Sequence, residues 1–172
     1  KTILIGADLR KPQLFKYFKN SKHGLATYLS NSSSLDETIQ ESGIKNLDVI
    51  TSGTIPPNPS ELIGSSKMTH LIEELKERYE YIVIDTPPIG FVSEYLILKD
   101  FTNVNIYVVR YNYSTKKSLQ LIDEHYITGK IKNLNIVLND IDYTKSYAYN
   151  YKTKGGYYYN KEKTKKFLVN IN

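Results

Sequence analysis

The 172-residue sequence predicts an α/β fold: a mostly parallel sheet with helices on both faces. Short apolar, β-branched runs recur along the chain, amphipathic helix-length segments separate them, and the runs are apolar at consecutive rather than alternate positions. A strand with that pattern is buried on both sides, which parallel sheets achieve by packing helices above and below.

The first run is Thr2–Ile5, continuing as Gly-Ala-Asp-Leu-Arg-Lys-Pro over 6–12. A strand that stops at Asp8, Arg10 and Lys11 brings one carboxylate and two cations to the carboxyl edge of the sheet, where open α/β sheets build ligand sites. Asp8 suits a water of Mg²⁺, a hard ion that prefers oxygen, with the cations facing phosphate. An Asp–Arg surface pair around a proline turn would look the same. Ser34-Leu35-Asp36-Glu37 has capping-box spacing and opens a short helix. Leu47–Ile50 is a weaker strand running into residues 50–63, where Gly53 and three prolines fix an extended loop. Pro59-Ser60-Glu61 then starts a helix with an acidic first turn.

Met68–Tyr79 places Leu71, Ile72 and Leu75 on one helical stripe. The strand Tyr81–Ile84 follows and ends in Asp85, with Thr86-Pro87-Pro88 stiffening the turn. A buried strand that delivers one carboxylate is the layout of a Walker B site; an Asp capping the next turn is the plainer alternative. Two strands ending this way in one chain favour a nucleotide site. Ile106–Val109 and Leu134–Leu138 complete the strands, and Lys116–Thr128 lies between them with Leu119, Ile122 and Tyr126 on one face.

Composition narrows the chemistry. With no cysteine, disulfide frameworks, thiolate metal sites and thiol catalysis are excluded. The three histidines (His23, His70, His125) have no spacing that gathers two on one helix face, so they read as surface residues and no zinc centre is expected. No run approaches the roughly 18 apolar residues of a membrane span, and no basic-then-apolar leader opens the chain. The expectation is a polypeptide that does not cross a membrane by itself. Tyrosine and charge are both uneven. Seven of the 16 tyrosines lie between Tyr143 and Tyr159, and residues 143–172 hold seven Lys and one Glu, +6, leaving −1 for the rest of the formal +5. The sequence therefore divides into a near-neutral domain, 1–142, and a basic, tyrosine-rich tail, 143–172.

The strings ILIGADLRKP, GLATYLS, TSGTIPPNPSELI, YIVIDTPPIGFVSE, VVR and VLNDID occur in the order and spacing of the bacterial tyrosine kinases of capsule and exopolysaccharide co-polymerases, and the tyrosine-rich end matches as well. The resemblance covers about residues 1–160. It implies a P-loop NTPase fold of the deviant-Walker type and ATP-dependent tyrosine autophosphorylation that regulates polysaccharide polymerisation and export, with ATP and Mg²⁺ as cofactors. It places Asp8 in the Walker A′ motif and makes Asp85 the Walker B carboxylate. Both are expected as metal ligands and, with Arg10, as catalytic residues; Asn139, Asp142 and Arg110 are expected around the nucleotide. The acceptors are expected to be Tyr147, Tyr149, Tyr151, Tyr157, Tyr158 and Tyr159.

Two departures accompany this resemblance. No G-x-x-x-x-G-K-[ST] occurs in the 172 residues, so the family's phosphate loop, with its strand and helix, is expected upstream of Lys1. Without it the chain alone is expected to be inactive. Gly6 stands where the family usually carries the first acid of an Asp-x-Asp pair, the one implicated in activating the acceptor hydroxyl. The resemblance further implies a ring-like homo-oligomer, a membrane-spanning co-polymerase partner, a tyrosine phosphatase, and a place at the cytoplasmic face of the bacterial inner membrane. A non-kinase ATPase switch and an inactive adaptor domain are the alternatives. Lys interleaved with Tyr also suits single-stranded nucleic acid, but Gly155-Gly156 beside Tyr157–Tyr159 favours a segment that bends into a neighbour's site, and no nucleic-acid partner is expected.

Overall fold

The computed structural model describes residues 1–18, 21–89 and 94–141. Strand β1 (Thr2–Gly6) is hydrogen-bonded on both edges: it runs parallel to β3 (Leu47–Ile50) on one side and to β4 (Tyr81–Asp85) on the other. A two-residue strand, β2 (Gln40–Glu41), adds antiparallel to β3 and gives the order β2-β3-β1-β4. Each expected strand is present, most extended by a residue or so. The sheet, however, is in two pieces. β5 (Asn105–Arg110) and β6 (Leu134–Asn139) pair parallel with each other and not with β4.

The main core lies around β1. Ile3 and Ile5 are fully buried in one cluster with Leu25 and Leu29 of α1 (Leu25–Leu29) and the stripe Met68, Leu71, Ile72 and Leu75 of α4 (Ser66–Arg78). That spacing puts four apolar side chains on one helix face, and burying each contributes roughly 1.5–3 kcal/mol relative to exposure. At the amino end of the sheet the Tyr79 hydroxyl donates to Asp48 Oδ2 at 2.6 Å in a buried setting. The capping box forms as expected at α2 (Leu35–Thr38): Ser34 Oγ accepts from the Glu37 N–H, and Glu37 Oε2 accepts from the Ser34 N–H at 2.7 Å. A smaller cluster joins Ile122 of α6 (Lys116–Ile127) to Ile131 and Tyr95.

Cover on both faces holds for β1 and β3 but not beyond. Tyr81 of β4 is 62% exposed and Ile106 of β5 is 63% exposed, with Val83 and Val108 beside them in the same alternation. Among the described residues the facing edges of β4 and β5 have no strand partner, and they border a cavity of about 550 Å³ lined by Val83, Ile84, Phe101, Ile106, Tyr107 and Leu134 among others. A strand edge with unpaired N–H and C=O groups is a template for a further strand.

The loop that carries residues 51–58 is held by backbone. The N–H groups of Leu25 and Ala26 donate to the carbonyls of Thr51 (2.8 Å) and Ser52 (3.0 Å). So close an approach leaves no room at Gly24, where a Cβ would lie 2.4 Å from the Gly53 nitrogen and 2.5 Å from the Thr51 oxygen. Gly24→Ala should therefore cost about 2 kcal/mol or more, in the range of overpacked cores, and lower the urea midpoint. An unchanged midpoint would mean that the two loops separate freely.

Candidate nucleotide and metal site

Parallel pairing of β1 with β4 sets the site. Gly6 stands opposite Asp85 in the register, and the Ala7 N–H donates to the Asp85 carbonyl at 2.8 Å, so the chain leaves both strands at the same edge. Asp8 follows at once and folds back on its own loop: its Oδ1 accepts from the backbone N–H of Arg10 (3.1 Å) and of Lys11 (2.9 Å). This turn, in which a carboxylate captures amides two and three residues on, fixes one carboxylate oxygen.

The charge of Asp8 reaches Asp85. Surrounding protein atoms penalise the charge on Asp85, and the negative charge of Asp8 adds to that, so the Asp85 carboxyl titrates above the ordinary aspartate range although the residue still reaches solvent. A divalent cation relieves this repulsion, and two hard oxygen donors are the ligands Mg²⁺ selects. Among the described residues no third His, Cys, Asp or Glu joins the pair. A Mg²⁺ ion held here would keep most of its waters and draw its other ligands from phosphate, which is this ion's ordinary habit in nucleotide enzymes. The pair fits the expected metal.

Arg10 is placed differently from its neighbours. Its guanidinium turns to Glu94, Nε donating to Glu94 Oε1 at 2.8 Å, while Nη2 donates to Ser60 Oγ at 3.1 Å. Arg110 and Asn139 lie opposite each other at the ends of β5 and β6, and the Tyr111 N–H donates to the Asn139 carbonyl at 2.9 Å. Arg110 Nε is paired with Asp140 Oδ2 at 2.7 Å, and its guanidinium stacks over the Tyr113 ring. The structure thus brings Asp8 together with Asp85, and Arg110 together with Asn139. Asp142 and Tyr147, Tyr149, Tyr151, Tyr157, Tyr158 and Tyr159 lie outside the described residues. Sequence reasoning gave no role to Glu94 or Ser60. Each sits in a quoted motif, but neither follows a strand, and only the fold makes them partners of Arg10.

A mostly parallel α/β sheet, with Asp8 and Asp85 delivered at the carboxyl ends of two adjacent strands, defines the class of fold. An archaeal MinD structure with Mg-ADP bound shares the fold at a TM-score of 0.64 and 18% identity, a likeness of architecture alone. No protein-family model matches the chain. The chain is 35% identical over 154 residues to CapB of Staphylococcus aureus, assigned to the tyrosine-protein kinases, covering 88% of this chain and 68% of that protein. It is 36% identical over 152 residues to tyrosine-protein kinase YwqD of Bacillus subtilis, covering 88% and 64%. The kinase domain of Escherichia coli ETK superposes with a TM-score of 0.78 at 33% identity over 88% of this chain and 60% of that one; the VpsO kinase domain gives 0.75 at 32%, over 83% and 71%. The chain belongs to the bacterial tyrosine-protein kinase family. It spans 64% of the Bacillus relative and 19% of tyrosine-protein kinase ptk of Acinetobacter johnsonii.

The raised Asp85 titration fixes a stability signature. A carboxyl whose folded-state pKa lies above its unfolded value favours the fold while protonated, and loses that contribution as pH rises through the folded pKa. In metal-free buffer Asp85→Asn should therefore be more stable than the parent at pH 7, with the advantage fading below the ordinary aspartate range. Thermal denaturation at pH 7 and pH 3 checks this, and a variant less stable at pH 7 contradicts the reading.

Proposed function

We propose that this domain carries the carboxylate half of an ATP-dependent protein-tyrosine kinase that phosphorylates its own tail and so regulates export of a capsular or extracellular polysaccharide. The observation that carries the proposal is the Asp8–Asp85 pair on neighbouring strand ends. Asp8 and Asp85 would hold Mg²⁺ there, and the bound ion would supply neutralisation of phosphate charge. In this reading Asp8 and Asp85 would bind the ion through its waters, and Arg110 and Asn139 would line the nucleotide. Phosphoryl transfer asks for positioning and charge neutralisation more than covalent help, which suits such a site. The slot between β4 and β5 is read as the seat of the strand that leads into the phosphate loop, since one inserted strand would satisfy both free edges.

The acceptors in this reading are Tyr147, Tyr149, Tyr151, Tyr157, Tyr158 and Tyr159. Tyr28, Tyr79 and Tyr95 are buried in the body, and the Tyr79 hydroxyl is already given to Asp48, which disfavours them as substrates. Each phosphate adds about −1.5 to −2 charge, so three or four cancel the +6 of residues 143–172 and loosen a ring of subunits held by that charge. The reading places the domain at the cytoplasmic face of the inner membrane, beside a membrane-spanning co-polymerase partner and a tyrosine phosphatase. Among the described residues no helix is long and apolar enough to cross a membrane.

One observation favours a second reading, a nucleotide-driven switch that hydrolyses ATP without phosphorylating tyrosine. Where the family carries an acid, Gly6 is packed: a Cβ there would meet Leu14 Cδ1 at 3.0 Å and the Ser52 nitrogen at 3.4 Å. The two readings part in one experiment on the full-length protein with ATP and Mg²⁺. The kinase reading expects phosphotyrosine mapped to residues 147–159 and lost by about a hundredfold or more in Asp85→Asn. ATP turnover without phosphotyrosine supports the switch instead, and wild-type phosphorylation in Asp85→Asn removes the metal assignment.

A further inference from the structure

Arg10, Ser60 and Glu94 come from three separate parts of the chain: the loop after β1, the first turn of α3 (Pro59–Ile63) and the first turn of α5 (Glu94–Leu98). They meet in one closed set of hydrogen bonds. Glu94 Oε1 accepts from Arg10 Nε at 2.8 Å and from the Ser60 hydroxyl at 2.8 Å, and Ser60 Oγ accepts from Arg10 Nη2 at 3.1 Å. The Glu94 side chain is only 2% exposed, whereas that of Arg10 remains 47% exposed. Burial alone would push the Glu94 carboxyl upward in pKa, but its own backbone N–H, Ser60 and Arg10 outweigh this and hold it below the ordinary glutamate range. Its second oxygen, Oε2, is buried with no hydrogen-bond partner among the described residues. Among those residues, then, Arg10 is the cation that balances a buried charge, and charge-assisted bonds of this kind hold their geometry strongly.

Arg10 has a second attachment. Its backbone N–H, two residues after Asp8, donates to Asp8 Oδ1, as does that of Lys11. One residue therefore links a buried carboxylate to the orientation of an exposed one. We infer that Glu94 is a positioning residue: by anchoring the Arg10 side chain with Ser60, it holds the 8–11 turn so that Oδ1 of Asp8 is bound to its own loop and Oδ2 is left for the site beside Asp85. The role given to Asp8 rests on the kinase reading above. The positioning itself does not.

The test is Glu94→Gln in the full-length protein. The amide keeps the shape and can still accept from Ser60, but the charge that binds Arg10 is gone, and Arg10 can be solvated where it stands. Arg10→Gln is the poorer first test, because it strands a buried carboxylate. Hydrogen exchange measured without nucleotide should show the amides of Arg10 and Lys11 exchanging roughly tenfold faster or more, while those of β1, β3 and α4 change little. The double variant Glu94→Gln with Arg10→Gln should be no faster in that turn than Glu94→Gln alone, since both break one network. With ATP, kcat for autophosphorylation should fall and the Mg²⁺ concentration for half-maximal rate rise, with the ATP KM nearly unchanged. Unchanged exchange at Arg10 and Lys11 overturns the inference. So does acceleration spread evenly through β1, β3 and α4, which would make Glu94 an ordinary stability residue. A protein that shows the exchange change but forms no phosphotyrosine keeps the positioning and loses the kinase reading.

Discussion

Everything placed in this domain hangs on one strand bonded along both edges. β1 pairs in register with β3 over four residues and with β4 over five, so its direction and the point at which it ends are fixed twice. A one-residue slip against either neighbour would turn Ile3 and Ile5 out of the core, which is why the register is specified by burial as much as by backbone bonds. The same pairing decides where Asp8 and Asp85 emerge. Their proximity is thus a consequence of core packing, not of any attraction between them, and it persists although they repel.

That repulsion is the second organising feature. Burial first, and then the charge of Asp8 at the same edge of the sheet, oppose ionisation of Asp85, and a proton or a cation relieves both. The nearest guanidinium in sequence is Arg10, and the fold does not spend it on this relief. It is turned to Glu94, and among the described residues no arginine offsets the charge of Asp8 at the Asp85 carboxyl. The pair is left open to a cation from solution.

The strands, the two long helices, the capping box at Ser34 and both strand-end carboxylates were legible because each rests on a local pattern: apolar runs, 3.6-residue periodicity, Ser-x-x-Glu spacing. Arg10 was legible as a cation at the sheet edge but not in its pairing, since Glu94 lies 84 residues away and opens a five-residue helix with too few turns to show periodicity. The break between β4 and β5 was not readable from strand composition either. Tyr81–Asp85 and Asn105–Arg110 look like central strands because they are apolar on both faces, and composition carries no information about which edge is paired. The exposure of Tyr81, Val83, Ile106 and Val108 is the physical trace of that break.

The break also explains how the candidate site divides. Asp8 and Asp85 stand at the edge of the first sheet, and Arg110 and Asn139 on the second; among the described residues no ladder hydrogen bond ties the two sheets together. Within each half the geometry is set by strand pairing: Gly6 opposite Asp85 in one, Arg110 opposite Asn139 in the other. Between the halves it is set by what borders the cavity at β4 and β5, where apolar side chains such as Val83 and Ile106 line both walls. The apolar part of these walls suits an extended segment, which would satisfy strand edges that have no partner among the described residues and cover those side chains at once. A strand seated there would join both halves into one sheet, and the distance from the carboxylate pair to Arg110 and Asn139 would then follow from its pairing.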